Sequence, residues 1–145
     1  MAIVENYLFD TNLFLEVFLN QENTELSKKL INHKNLTKIF ISDFSLHSIG
    51  VILSRKSKSQ AFQLFIEDIV QSNKFEIITI KLKNMKLITE NIIKFSLDFD
   101  DAYQLTVSDL YNLKIVTYDN DFNKREISST SPNHLYEKLE STSSF

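Results

Sequence analysis

Aspartates follow two short apolar segments of this 145-residue chain, where their carboxylates could do chemistry together. Asp10 comes directly after the first segment, and Asp119 follows the second, with Asp121 two positions later. A third acidic group precedes the second segment and consists of Asp98, Asp100 and Asp101. In an open α/β sheet, ligands bind beyond the carboxyl ends of the parallel strands. If both apolar segments are such strands, three distant parts of the chain place carboxylates at one edge of the sheet.

A cluster of carboxylates of this kind needs a cation. Like charges within a few ångströms repel one another and raise each other's pKa values, so a cation is required to neutralise four or more of them. Oxygen ligands without His or Cys favour Mg²⁺ or Mn²⁺, and such an ion activates water and clamps phosphate oxygens. The implied chemistry is phosphodiester hydrolysis. The alternative for any single aspartate is a helix cap, because Asp is a preferred N-cap residue.

The composition excludes several classes of protein. One Gly in the chain rules out the glycine-rich phosphate loops of dehydrogenases and P-loop NTPases, and the absence of Cys rules out disulfides and cysteine-bound zinc. The three His, at positions 33, 47 and 134, are too scattered for a zinc site. A hydrophobic content of 43% excludes a disordered chain. No apolar run approaches the ~20 residues of a membrane span and no signal peptide is evident, so we expect a cytoplasmic protein without a membrane partner.

Apolar periodicity predicts strands that alternate with helices. The predicted strands cover residues 3–9, 38–41, 75–80 and 114–118. The predicted helices cover residues 13–18, 24–32, 44–53, 61–70, 82–97 and 98–113, with a short one opened by Pro132. Thr11 or Asn12 is expected to cap the first helix, and Ser42 with Asp43 the third. This order predicts an α/β domain with helices on both faces of a central, mainly parallel sheet, in three α/β/α layers.

Two motifs in the expected order resemble the PIN-domain nucleases, and are most similar to the VapC-type toxins of prokaryotic toxin–antitoxin pairs. YLFDTN, residues 7–12, resembles the opening strand of that family with its Asp-Thr-Asn ending. DFDDAYQLTVSDLYNLKIVTYDNDF, residues 98–122, resembles its Asp-Ala helix, short strand and Thr-x-Asp-x-Asp-Phe ending. The resemblance spans residues 3–127, which predicts one PIN-like domain over residues 1–145 with a C-terminal tail at 128–145.

The resemblance implies a metal-dependent endoribonuclease that acts as a toxin. Its expected cofactor is Mg²⁺ or Mn²⁺, and its expected partners are an RNA substrate, an antitoxin that blocks the active site, and a second copy in a homodimer. The implied catalytic metal ligands are Asp10, Asp101 and Asp119, with Asp121 as an auxiliary ligand through water. Thr11 or Asn12, together with Thr117, would orient these carboxylates or the attacking water.

One carboxylate of the family pattern is missing from this sequence. The family usually carries a Glu in the helix after the second strand, and here that position falls at His47 or Ser48. Asp43 lies about a turn earlier and would serve only in a different register. The absence keeps open a second hypothesis, a PIN-like RNA- or protein-binding module with weakened catalysis. A phosphoacceptor receiver domain is disfavoured, because its late-strand Lys and the paired acids of its first strand are not found.

Basic residues beside an acidic site are expected in a nuclease, since the substrate is a polyanion. Candidate RNA-binding residues lie in the segment SRKSKSQ and are Arg55, Lys56 and Lys58. A second basic group lies in KLKNMK and consists of Lys81, Lys83 and Lys86. For each of these residues taken alone, an ordinary solvated surface position is the alternative.

Overall fold

The computed structural model describes residues 5–124 and 126–142 and contains a central sheet of five strands in the order β3-β2-β1-β4-β5. Each neighbouring pair of strands is parallel. The strands are β1 (Tyr7–Phe9), β2 (Ile39–Ser42), β3 (Phe75–Ile78), β4 (Lys114–Val116) and β5 (Ser129–Thr130). This sheet confirms the predicted α/β class.

Helices connect the strands and cover the sheet. They are α1 (Thr11–Phe18), α2 (Thr24–Ile31), α3 (Asp43–Arg55), α4 (Ser59–Gln71), α5 (Lys86–Phe95), α6 (Phe99–Tyr111) and α7 (Pro132–Thr142). Two 3-10 turns, Leu82–Asn84 and Asn120–Phe122, complete the connections. Within the described ranges, no helix is both long and apolar enough to cross a membrane.

The side chains of β1 show how the two faces of the sheet are covered. Tyr7 and Phe9 pack into a core that also receives residues of α1, α2, α3, α4 and α7. Leu8, which points to the opposite face because strand side chains alternate, packs into a second core with residues of α5 and α6. Helices therefore lie on both faces, and the predicted three-layer arrangement is confirmed.

Several predicted boundaries are wrong, each for a local reason. The predicted helix at 82–97 is a 3-10 turn followed by α5, and α5 ends before Ser96, whose φ of 55° is left-handed. Asn112 ends α6 in the same way, with φ 54°. The structure places the first strand at Tyr7–Phe9, whereas prediction began it at residue 3, and residues 3 and 4 lie outside the described part.

The C-terminal segment contributes to the sheet and to the core. Strand β5 escaped prediction because two residues, Ser129 and Thr130, are too few to show a period. Helix α7 buries Leu135 and Leu139 in the core on the α1 face. The division into a core and a C-terminal tail stays a prediction.

The order of the strands determines where the aspartates meet. From β1 the chain builds the sheet outward through β2 and β3, and then returns to add β4 on the other side of β1. The edge between β1 and β4 is therefore a topological switch point, where open α/β sheets form a crevice. Asp10 directly follows β1, and Asp119 lies three residues after β4.

Candidate metal centre

A cleft of about 290 Å³ opens beyond the carboxyl ends of β1 and β4, and we call it the acidic cleft. Strand ends, α1, α3 and α6 contribute its walls. The lining residues are Asp10, Thr11, Asn12, Leu15, Phe44, Ser48, Ile52, Asp100, Asp101, Gln104 and Asp119. The structure thus brings the three predicted catalytic aspartates into one cleft.

Asp10 is the buried carboxylate of the acidic cleft, with 8% of its surface exposed. Its Oδ1 accepts hydrogen bonds from the backbone N–H of Thr11 (2.9 Å) and from Nε2 of Gln104 (3.0 Å). Its Oδ2 accepts one from Oγ1 of Thr117 (2.8 Å). Burial raises the pKa of Asp10, these hydrogen bonds oppose that rise, and the charge of Asp119 adds to it. The donors hold the carboxylate in one orientation.

Asp10 is also the N-cap of α1, which corrects the expectation that Thr11 or Asn12 would be. The reason is that the strand ends at Phe9 and the helix begins at Thr11, so that Asp10 is the last residue with extended φ and ψ before the helix. Ser42 caps α3 as predicted, since its hydroxyl accepts from the backbone N–H of Ser45 at 3.0 Å.

Thr117 links three of the predicted site residues through one hydroxyl. Its Oγ1 donates to Asp10 and accepts from Nδ2 of Asn12 (3.2 Å) and from the backbone N–H of Asp119 (2.9 Å). Thr11 is turned differently, since its hydroxyl donates to Oγ of Ser45 at 2.8 Å. Thr117 and Asn12 therefore connect β4 to β1 at the cleft, while Thr11 joins α1 to α3.

The remaining acids meet Asp10 from α6 and from the turn after β4. Carboxylate oxygens of Asp101, Asp119 and Asp121 all lie within 4.8 Å of one another. Burial raises the pKa of Asp101 to about 7, with further contributions from the negative charges of Asp100, Asp10, Asp119 and Asp121. Asp98, Asp100 and Asp101 form a second close group, and Asp98 stands at the N-cap of α6 without making a side-chain cap hydrogen bond.

This donor set fits a hard divalent cation. Asp101, Asp119 and Asp121 offer oxygen atoms close enough to share an ion, and Asp10 adds a carboxylate to the lining of the same cleft. Burial first, and then the neighbouring negative charges, raise the pKa values of Asp10 and Asp101 and so oppose their charged forms. Mg²⁺ and Mn²⁺ prefer carboxylate oxygens, and a cation would remove this penalty.

Helix α3 carries both residues at which the missing Glu was expected, and they face different surroundings. Ser48 lines the acidic cleft, whereas His47 is exposed on the outer side of α3. Asp43 lies outside the cleft lining, because its carboxylate accepts from the hydroxyls of Tyr103 (2.6 Å) and Thr79 (2.9 Å). The register therefore offers a hydroxyl where the family pattern has a carboxylate.

Gln104 is the residue of the acidic cleft that sequence reasoning missed. It is 3% exposed and donates to Asp10 from α6. Its place one turn after Asp101 is the only signal in the sequence, because residues three apart on a helix share a face. This spacing points to Gln104 only once Asp101 is known to face the cleft.

The predicted RNA-binding residues lie at the end of α3 and just after it. Arg55 is in the last turn of α3, Lys56 is its C-cap, and Nζ of Lys58 donates to the backbone oxygen of Phe18 at 3.2 Å. All three basic side chains are exposed and lie outside the lining of the acidic cleft. Their role in binding RNA stays a prediction.

Replacing Asp101 by Asn should stabilise the metal-free protein at pH 8 and not at pH 4. The folded-state pKa of about 7 exceeds the unfolded value near 3.8, so the folded wild type binds the additional proton between these values. Stability of the wild type therefore falls as pH rises through this window, and Asp101→Asn removes that loss. Because Asp101 is half-buried, we expect the free energy of unfolding of Asp101→Asn to exceed that of wild type by roughly 1 kcal/mol at pH 8. This corresponds to a Tm higher by about 2–4 °C, measured by thermal unfolding in EDTA.

The exposed Glu76→Gln variant is the control for this measurement, since it removes one charge far from the cleft. Its difference in Tm from wild type should show no such dependence on pH. A Tm difference for Asp101→Asn that is the same at pH 4 and pH 8 would contradict the raised pKa of Asp101.

Comparison with known proteins gives one family and a set of similar folds. A family model described as PIN domain matches residues 7–127. No curated protein matches the chain by sequence. A toxin–antitoxin complex from Klebsiella pneumoniae is similar with a TM-score of 0.71 and 20% identity, covering 88% of this chain and 98% of that one.

Two further solved structures show the same likeness. The sarcin–ricin loop cleaving toxin VapC20 of Mycobacterium tuberculosis has a TM-score of 0.71 and 16% identity, over 84% of this chain and 96% of that one. FitAcB from Neisseria gonorrhoeae has a TM-score of 0.67 and 17% identity, over 88% of this chain and 99% of that one. At these identities the likeness establishes the fold.

Proposed function

This chain belongs to the PIN domain family, and on that premise we propose that it is a divalent-metal-dependent endoribonuclease, the toxin of a toxin–antitoxin pair. The observation that carries the proposal is the convergence of Asp10, Asp101 and Asp119 in one cleft at the switch point of the sheet. Asp10 is held there by donors on both of its oxygens. Structures of nucleases and toxins with this fold support the same reading.

The proposed metal ligands are Asp10, Asp101 and Asp119, with Asp121 as an auxiliary ligand. A divalent ion, when bound, supplies the positive charge that activates a water and neutralises the phosphate during in-line displacement. The chain's own part is to hold the carboxylates. The hydroxyl of Thr117 donates to Asp10 and at the same time accepts the backbone N–H of Asp119, so that two proposed ligands, which follow neighbouring strands, share one partner.

The proposed partners are an RNA substrate, an antitoxin and a second copy of the chain. The antitoxin is supported by similar structures that are toxin–antitoxin complexes, one of them, VapBC2 of Rickettsia felis, bound to a promoter DNA fragment. Arg55, Lys56 and Lys58 are the proposed contacts to RNA phosphates, because they are exposed cations at the end of the helix that carries Ser48 into the cleft. The proposed site of action is the cytoplasm.

Purified, antitoxin-free protein should cleave RNA from a total RNA pool when Mg²⁺ or Mn²⁺ is present. Cleavage should stop in EDTA and return when the ion is restored in excess, because the clustered carboxylates repel both one another and the phosphate without it. The measurement is the appearance of discrete fragments on a denaturing gel. Cleavage that persists in EDTA would contradict the proposed metal centre.

A second candidate function is favoured by one observation, the hydroxyl of Ser48 where the family pattern has a carboxylate. In that case the protein is a PIN-like RNA- or protein-binding module with weakened catalysis. Folded protein that binds RNA in a filter assay and releases no fragments with either ion would favour this second function.

A further inference from the structure

We propose that Gln104 is a positioning residue of the acidic cleft. Its amide takes the second acceptor position of Oδ1 of Asp10, which leaves Oδ2 as the oxygen available to a cation. This inference rests on the proposed function for the presence of that cation. It is argued from the hydrogen bonds of a buried amide that joins α6 to Asp10 after β1, to Ser42 of β2 and to Ser45 of α3.

The orientation of the Gln104 amide follows from its neighbours. The hydroxyl of Ser42 accepts the backbone N–H of Ser45, so its one hydrogen is free to go to Oε1 of Gln104 at 2.6 Å. The NH₂ group must then face the other way, where it donates to Asp10 (3.0 Å) and to Oγ of Ser45 (2.9 Å). A reversed amide would set its oxygen against a carboxylate.

Counting lone pairs shows what this amide does to Asp10. Each carboxylate oxygen offers about two acceptor positions. Oδ1 uses both, for the backbone N–H of Thr11 and for Gln104. Among the described residues, Oδ2 accepts one hydrogen bond, from Thr117, and keeps one position for a metal ion. Without Gln104 the two oxygens become more nearly equivalent, and the carboxylate is free to turn.

The helix that carries Gln104 also carries a proposed ligand. Asp101 and Gln104 are three residues apart on α6 and both line the acidic cleft. The amide of Gln104 therefore ties the orientation of Asp10 on β1 to the placement of Asp101 on α6. One helix therefore carries one proposed ligand, Asp101, and orients a second, Asp10.

The test is the affinity of the folded protein for Mn²⁺, measured by isothermal titration calorimetry without RNA. Gln104→Met keeps the length and volume of the side chain and removes both donors. We expect Mn²⁺ to bind roughly 10- to 100-fold more weakly, the usual cost of losing a group that orients a metal ligand. In cleavage assays the Mn²⁺ concentration for half-maximal rate should rise by the same factor, and saturating Mn²⁺ should restore much of the rate.

Two variants separate positioning from general packing. Ser108→Ala removes a buried hydroxyl of α6 that donates to the backbone oxygen of Leu113, outside the acidic cleft. Thr106→Val removes a buried hydroxyl of α6 that lies outside the acidic cleft. Both should lower the Tm and leave the affinity for Mn²⁺ at its wild-type value.

Equal Mn²⁺ affinity in Gln104→Met and in wild type would overturn the positioning role and leave the proposed function intact. Failure of the wild type to bind Mn²⁺ or Mg²⁺ would overturn both. If Gln104→Met does not fold, Gln104→Asn replaces it, since it keeps a polar amide at this buried position on a side chain one methylene shorter than the one that bridges Ser42 and Asp10. Wild-type Mn²⁺ affinity in that variant would equally contradict the proposal.

Discussion

Asp10→Asn and Asp101→Asn should each lower metal-dependent RNA cleavage by roughly 100-fold or more. Each substitution removes a ligand charge from the acidic cleft and almost no volume. Stabilisation by a bound ion is worth several kcal/mol, and each ~1.4 kcal/mol corresponds to a factor of ten in rate. Initial rates on a labelled RNA with Mg²⁺ and with Mn²⁺ are the measurement, and the affinity for Mn²⁺ should fall in parallel.

Both variants should remain folded, for reasons visible in their surroundings. In Asp10→Asn the side-chain oxygen still accepts from Thr11 and Gln104. The hydrogen bond with Thr117 is lost, because the acceptor positions of that hydroxyl are already taken by Asn12 and the backbone N–H of Asp119. Burial already penalises the charge of Asp10, so its removal relieves that cost. Circular dichroism and Tm values at or above those of wild type would establish that lost cleavage is not lost structure.

Asp43→Asn is the matched control for these two variants. Asp43 also follows a strand of the sheet, but its carboxylate serves Tyr103 and Thr79. Cleavage by Asp43→Asn should stay at the wild-type level. Loss of activity in Asp43→Asn with retention in Asp10→Asn would show that the site has been assigned to the wrong strand end.

The placement of the aspartates at the edge of the sheet could be predicted, because the end of a buried strand can be recognised in a sequence. Asp10 and Asp119 follow apolar runs, and parallel strands bring such residues to one edge. The sequence did not predict that β1 and β4 are neighbours, because strand order depends on how the helices pack and not on the local sequence pattern. The strand ends therefore predicted that Asp10 and Asp119 share one edge of the sheet, and the structure adds that their strands are neighbours there.

The features that prediction missed share a physical cause: each of them is determined by contacts between residues that are distant in the sequence. The sequence alone does not distinguish Gln104 from other polar residues of a helix. Its role follows only from the structure, in which it lines the acidic cleft together with Asp101. Asp10 caps α1 only because no residue separates that helix from β1. Strand β5 exists through pairing of Ser129 and Thr130 with β4, and neither residue has an apolar pattern of its own.

Position 48 decides whether the missing carboxylate limits catalysis. Ser48 lines the acidic cleft from α3, so Ser48→Glu should place a fourth carboxylate among Asp10, Asp101 and Asp119. An added charge about 4 Å from a cation gains several kcal/mol at an effective dielectric constant near 20, and part of this is spent on repulsion between carboxylates. We expect on the order of 10- to 100-fold tighter Mn²⁺ binding and faster cleavage at low Mn²⁺.

His47→Glu is the matched control, because it adds the same side chain one residue away on the exposed side of α3. It changes the net charge equally and should leave both Mn²⁺ affinity and cleavage unchanged. Equal gains in the two variants would mean that net charge, not a ligand in the cleft, is responsible. No gain in Ser48→Glu, with the fold intact, would show that three carboxylates already complete the site and that Ser48 is not a lost ligand position.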